Sequence, residues 1–194
     1  MIVKSFELEK LKLLNFNMHL IYGVNEGIQQ YIIENFYLKN FNGELLKYDE
    51  QEIFNKREEF ISSLLTKSLF TNNKLVIISR ASDKSLGILK EILDKEITET
   101  KIIIKCKNLE KKSKLRNLFE KHENIICTPV YEDDARTLNS VIQNFLVENK
   151  FSLSQEIKNI IIDRSKGDRI NLNNELIKLK NLSISKKKID TEDV

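Results

Sequence analysis

Short, continuously apolar runs separated by amphipathic segments dominate the first two thirds of the chain. Runs of this length without alternation are typical of strands that are buried on both faces of a sheet. Segments with apolar residues at helical spacing lie between them, which predicts βαβ units and a parallel sheet with helices on both faces. The five runs are Met18–Tyr22, Leu45–Tyr48, Leu75–Ser79, Ile102–Cys106 and Ile125–Thr128. The helical spacing predicts helices over 50–66, 86–93 and 109–119.

The pattern changes after Pro129, where strand-like runs stop and three helical segments follow. They lie at about 134–149, 154–165 and 171–182. Ser154 is expected to cap the second segment, Gly167 to end it, and Asp168 or Asn171 to cap the third. We therefore predict an α/β domain over 1–133 and a small three-helix lid domain over 134–194.

The segment after the first predicted strand has the form of a phosphate loop but lacks its chemistry. In a working P-loop, backbone amides hold the phosphates, a Lys reaches them, and a Ser or Thr hydroxyl binds Mg²⁺. Here Gly27 is followed by Ile28, Gln29 and Gln30, so neither possible register supplies that Lys or a Ser/Thr hydroxyl. We therefore expect no cofactor, and a nucleotide-binding fold that serves contacts with partners. The residues of this degenerate loop are Gly23, Asn25, Glu26 and Gly27.

The strand ends also lack the acids that an ATPase needs to hold Mg²⁺ and orient water. The third run continues into Ser79 and Arg80, and the fourth ends at Cys106. The adjacent acids Glu132 and Asp133 follow the last run, where a solvated hinge is the better explanation. We expect no enzymatic activity from this chain alone.

Composition narrows the class of protein further. The 194 residues carry a net charge of +3, which is compatible with weak contacts to DNA but does not require them. Cys106 and Cys127 lie in apolar runs, so we expect buried, reduced thiols. No segment fits a signal peptide or a membrane span. We expect a cytoplasmic protein.

Two surface features are candidates for binding. Leu69 and Phe70 are consecutive large apolar residues, and a helix that buries its other apolar positions cannot easily bury both. They either mark an interface or fold back onto the sheet. The segment Lys101–Lys121 is rich in cations with interspersed acids, which favours a solvated face over a site for DNA phosphates or a partner.

In order and spacing, these features resemble the delta subunit of the bacterial DNA polymerase III clamp loader. The similarity covers essentially the whole chain. It rests on the loop Leu20–Gly27, on Ser68-Leu-Phe70 before Lys74–Ile78, on Leu109–Arg116, and on Gly167-Asp-Arg169 followed by Leu172–Leu176.

The resemblance implies an AAA+-type fold that no longer hydrolyses ATP. It also implies a subunit that binds the sliding clamp (beta) and opens its ring so that DNA can enter. The family's clamp contact falls here on Leu69 and Phe70, with Ser68 beside them. Family members continue into a third, collar-forming domain, which we expect to be absent here. With that domain present, the further partners would be the tau/gamma and delta-prime subunits. The match around Arg169 is loose, so no nucleotide-sensing role is assigned to it.

Three other interpretations remain open. The first is a P-loop ATPase, which the missing Lys and acids disfavour. The second is the delta-prime subunit or another AAA+ interaction subunit, although the Ser-Arg-Cys motif of delta-prime is not found. The third is a stand-alone nucleic-acid-binding protein, which the modest net charge supports only weakly.

Overall fold

The computed structural model of the protein describes residues 1–11, 13–66, 73–95, 97, 100–186 and 189–194, with only the backbone of Leu14. These residues form two compact units. The sheet unit comprises Met1–Val24 and Gln29–Val130, and the helical unit comprises Asn25–Ile28 and Tyr131–Val194. The chain therefore passes into the helical unit after Val130, and three residues of the degenerate loop (Asn25, Glu26 and Gly27) also belong to that unit.

Five parallel strands form the centre of the sheet unit, as the sequence pattern predicts. Their order across the sheet is β2-β3-β4-β1-β5, and each neighbouring pair is parallel. All carboxyl ends of the strands therefore lie at one end of the sheet, which is where parallel α/β proteins place their binding sites. The strands are β1 (Met18–Gly23), β2 (Glu44–Asp49), β3 (Lys74–Ser79), β4 (Thr100–Cys106) and β5 (Ile126–Val130).

The inner strands are apolar without alternation because both of their faces are covered. Every residue of β1 is buried, whereas the edge strand β2 alternates between half-buried and exposed positions. Burying one large apolar side chain contributes about 1.5–3 kcal/mol, so these strands supply much of the unit's stability. The core includes Leu20, Val76, Ile78, Leu89, Ile92, Ile104, Leu115 and Phe119.

The helices between the strands differ from the prediction at two points. The single helix expected over 50–66 is interrupted at Lys56, although backbone hydrogen bonds continue on both sides of it. The break changes neither register nor apolar spacing, so the pattern did not indicate it. The helix expected from 109 begins at Lys114, because the Ser113 hydroxyl caps it there. The helices are α1 (Glu26–Ile32), α2 (Glu50–Asn55), α3 (Arg57–Leu65), α4 (Leu86–Asp94) and α5 (Lys114–Lys121).

The helical unit contains three helices around its own apolar core, as predicted. They are α6 (Ala135–Asn149), α7 (Gln155–Ser165) and α8 (Arg169–Ser185). Ser154 caps α7 and Asp168 caps α8, while Lys166 and Gly167 end α7 in the left-handed conformation. Asn171 is not the cap, because α8 begins two residues before it. The core contains Leu138, Ile142, Leu146, Ile157, Ile161, Leu172, Leu176 and Leu179.

The sheet contains a buried histidine. His19 in β1 is 1% exposed and contacts the Tyr37 hydroxyl at 2.6 Å through Nδ1 and the Thr128 hydroxyl at 2.8 Å through Nε2. Burial lowers the pKa of His19 to about 3, because the charged imidazolium is poorly solvated there. Burial also raises the pKa of Tyr37. Both side chains are therefore neutral at physiological pH.

We predict that His19 makes folding sensitive to mild acid. The unfolded chain binds a proton near pH 6.5 and the folded protein only near pH 3, so unfolding takes up a proton between these values. The contribution of His19 to stability is complete above the pKa that His19 has in the unfolded chain, and it is lost as the pH falls below that value. At pH 5 the loss is about 2 kcal/mol. Urea unfolding at pH 7 and pH 5 measures it.

His19→Gln keeps a donor and an acceptor but removes this titration, so its free energy of unfolding should change less between the two pH values. His122→Gln is the matched control and should keep the wild-type difference. Equal pH dependence in wild type and His19→Gln would contradict this role of His19.

Candidate functional site

The degenerate phosphate loop begins at the carboxyl end of β1, as the sequence predicts. Gly23 has a φ of +137°, and a Cβ added to it would lie 1.9 Å from the carbonyl oxygen of Val130 in β5. Its amide donates to the carbonyl of Lys107 at 3.2 Å. The first glycine of the loop is therefore required by the close approach of β5, whatever the loop binds.

The side chain of Gln29 bridges two backbone carbonyls next to the part of the loop that belongs to the sheet unit. It is 3% exposed, and its Nε2 donates to the carbonyl of Gly23 at 3.0 Å and to the carbonyl of Cys106 at 2.9 Å. A carboxamide that follows the second glycine of the loop in the sequence thus joins the ends of β1 and β4. The sequence showed that the lysine and the hydroxyl of a P-loop are missing but did not show this contact.

The other part of the loop lies in the helical unit. The side chain of Asn25 caps the start of α1 by accepting from the amide of Ile28 at 3.0 Å, and Glu26 is exposed. A Cβ added to Gly27 would lie 2.7 Å from the Cβ of Arg169. The second glycine is therefore required because Arg169 packs directly against it.

Asp133 is not part of a solvated hinge, and that prediction was wrong. Its side chain is 2% exposed and forms an ion pair with Arg169, whose side chain is 14% exposed. Arg169 Nε donates to Oδ2 at 2.8 Å, its Nη2 donates to Oδ1, and Asn25 Nδ2 donates to Oδ2 at 2.8 Å. The sequence could not indicate this pair, because its two members are separated by a complete helix hairpin. The neighbouring Asp134 caps α6.

Acidic side chains near the strand ends are engaged in structural contacts. Asp83, which the sequence analysis missed, accepts from the Ser113 hydroxyl at 2.6 Å and from the amide of Leu115 at 3.0 Å. These hydrogen bonds lower the pKa of Asp83. Glu50 accepts from the amide of Ser82 at 2.7 Å. These carboxylates hold loops and helix starts in place.

The end of β3 carries Arg80 in place of an acid. Its backbone has a φ of 57°, in the left-handed region that few non-glycine residues adopt. Its guanidinium pairs with the carboxylate of Asp49 at the end of β2, and that contact is the main reason why the pKa of Asp49 is lowered. An arginine at this position cannot coordinate Mg²⁺ as the acid of an ATPase does.

The predicted clamp-binding residues Ser68, Leu69 and Phe70 lie outside the described residues. The chain before them is held by Lys74, whose Nζ donates to the carbonyls of Ser63 and Thr66, the latter at 2.8 Å. A buried ammonium thus satisfies free carbonyls at the end of α3. Lys74 is 7% exposed and lies 3.6 Å from the carboxylate of Glu44.

The cysteines are buried, as predicted. Burial is the main reason why the pKa of Cys127 is raised to about 11, and it also raises the pKa of Cys106, so neither thiol is activated. Within the described ranges, no group of His, Cys, Asp and Glu could hold a metal ion. None of the helices in those ranges is both long and apolar enough to cross a membrane.

The cations of the segment Lys101–Lys121 do not act as one surface. Lys101 donates to the carbonyl of Phe16 at 3.1 Å. Arg116 pairs with Glu120 at 2.7 Å and lies over the ring of Tyr22, 5.2 Å from its centroid. Lys105 is half-buried, and the remaining lysines are exposed: Lys107, Lys111, Lys112, Lys114 and Lys121. This division is consistent with the solvated face that the sequence favours.

The fold of this chain is similar to that of several solved structures. No protein-family model matches the sequence, and no curated protein matches it. Among solved structures, the Bacillus subtilis DNA clamp loader delta protein YqeN is similar, with a TM-score of 0.62 and 15% sequence identity. The match covers 98% of this chain and 61% of that one, so this chain spans about three fifths of its length.

Two other structures show the same architecture. Thermotoga maritima RuvB has a TM-score of 0.62 and 15% identity, over 97% of this chain and 64% of its own. Domain III of the Thermotoga maritima replication initiation protein DnaA has a TM-score of 0.51 and 15% identity, over 97% of this chain and 85% of its own. Such identities establish the fold alone: the chain has the predicted AAA+-type α/β fold.

We predict opposite effects for two Gly→Ala substitutions. Gly27→Ala should lower the free energy of unfolding by about 1–3 kcal/mol, because the new methyl group clashes with Arg169. Gly87→Ala should raise it by about 0.5–1 kcal/mol, because Gly87 lies in α4 with nothing within 4 Å of the added Cβ. Urea unfolding compares both with wild type. A neutral Gly27→Ala would show that the loop does not need this glycine for packing.

Proposed function

We propose that this protein is a delta-type subunit of the bacterial DNA polymerase III clamp loader. It binds the sliding clamp and opens its ring for loading onto primed DNA, and it does not hydrolyse ATP itself. The proposal combines the AAA+-type fold, the similarity to a delta protein and the order of the sequence motifs.

The observation that carries the non-catalytic part of the proposal is the Gln29 side chain inside the phosphate loop. Its two hydrogen bonds join the carbonyls of Gly23 and Cys106, so the loop is closed by a neutral amide. Ile28 cannot replace the lysine that neutralises phosphate charge, and Arg80 cannot replace the acid that holds Mg²⁺. A protein of this kind uses the fold to position surfaces for partners.

The surface proposed to bind the clamp consists of Leu69 and Phe70, with Ser68 beside them. An aliphatic and an aromatic side chain that enter an apolar pocket together form a typical binding hot spot. Lys74 fixes the end of α3, which precedes this segment in the sequence. Leu65, near the end of α3, is 52% exposed, so a large apolar side chain is already at the surface there.

Ring opening requires differential affinity. The subunit must bind the open or relaxed form of the ring more tightly than the closed form, since equal affinity would not change the equilibrium. The free energy available for ring opening is the difference between the free energies with which the subunit binds the open and the closed ring. Other loader subunits (tau/gamma and delta-prime) and weakly bound DNA complete the proposed set of partners.

We predict that Leu69→Ala/Phe70→Ala weakens clamp binding strongly. Loss of an aromatic anchor costs about 2–4 kcal/mol, which corresponds to a roughly 30- to 1,000-fold increase in Kd. Surface plasmon resonance with the sliding clamp of the same organism measures this change. Circular dichroism should show the same helical signal for the variant and the wild type.

The matched control is Ile177→Ala/Ile184→Ala, which shortens two apolar side chains of α8 that are 48% and 82% exposed. Its clamp affinity should equal that of wild type. Unchanged binding by the Leu69/Phe70 variant would place the interface elsewhere, and absence of wild-type binding would overturn the proposed function.

A further inference from the structure

We infer that Asp133 serves as an internal anion at the phosphate loop, where it occupies an anion-binding site that Asn25 and Arg169 form. All three residues belong to the helical unit. This inference concerns the loop alone and does not depend on clamp binding.

The contacts are those of a bound anion. Arg169 engages both oxygens of the carboxylate, with Nε on Oδ2 at 2.8 Å and Nη2 on Oδ1. Asn25 Nδ2 adds a third hydrogen bond, 2.8 Å from Oδ2. Guanidinium groups bind both carboxylates and phosphates through bidentate contacts of this kind. The donor set would therefore fit two oxygens of a phosphate as well as it fits Asp133.

The position of the guanidinium is fixed by the surrounding backbone. Asp168 caps α8 by accepting from the amides of Ile170 and Asn171, which sets Arg169 at the first position of the helix. The left-handed Gly167 brings the preceding turn close to the backbone of Asp133, and its added Cβ would be 3.6 Å from that carbonyl oxygen. The Cβ of Arg169 packs against Gly27. The cation is thus held beside the second glycine of the loop.

Burial makes an anion at this position necessary. A nearly buried guanidinium without a counter-ion is strongly destabilising, and Asp133 supplies the negative charge from within the chain. A tethered carboxylate also competes well with free anions, because its effective concentration is high. Asp133 therefore stabilises the turn Asn25–Ile28 at all times and excludes external phosphate from Arg169.

We predict that removing the carboxylate uncovers this site. Asp133→Ala should lower the Tm by about 5 °C or more, because Arg169 then lacks its counter-ion. Sodium tripolyphosphate at about 10 mM should restore part of the loss by binding the folded protein. The wild-type Tm should change by less than about 1 °C under the same conditions. Differential scanning fluorimetry measures the Tm loss of the variant, its recovery and the change in the wild type. NaCl is added to the samples without tripolyphosphate so that all samples have the same ionic strength.

Two further variants define the outcome. Asp133→Ala/Arg169→Met should show no recovery with tripolyphosphate, and Glu132→Ala, at an exposed neighbouring position, should show neither loss nor recovery. Asp133→Ser keeps an acceptor for Asn25. This variant takes the place of Asp133→Ala in the same test if Asp133→Ala does not fold. Recovery without Arg169, an equal response in wild type, or an undiminished Tm in the Asp133 variant would overturn the inference.

Discussion

The parallel pairing of strands that are buried on both faces is the constraint on which the rest of this structure depends. Parallel strands need crossover connections, so each strand is followed by a helix or loop at the same end of the sheet. Gly23, Ser79 and Cys106 are thereby brought together although they lie far apart in sequence. A binding site at that end is a consequence of topology, and the side chains there decide what it binds.

Polar side chains hold the degenerate loop in place within each of the two units. In the sheet unit, the Gln29 carboxamide joins two strand ends. In the helical unit, the Asp133 carboxylate binds the arginine beside Gly27. Each of these contacts satisfies buried polar groups, which would be costly if left unpaired. Both parts of the loop are thus held by side chains of the protein itself.

The sequence predicted what depends on local pattern. All five strands were found within two residues of their predicted ends, because strands buried on both faces leave continuous apolar runs and the edge strand β2 keeps a short apolar run as well. The caps at Ser154 and Asp168 were found because capping needs particular side chains next to the helix. The ion pair of Asp133 and Arg169 was missed because no local pattern encodes a contact across a helix hairpin. The break at Lys56 was missed because it preserves the apolar spacing.

Sequence and structure also contribute differently to the candidate site. A missing lysine and hydroxyl can be recognised from the sequence, since a motif specifies which residue type belongs at each position. The contacts that hold the loop in place cannot be recognised there, since the partners of Gln29 and Asp133 are distant in the sequence. The retained glycines illustrate the point: a motif attributes them to phosphate, whereas here the backbone of Val130 and the side chain of Arg169 require them. The glycines of this loop are therefore explained by the packing around them, whatever the loop binds.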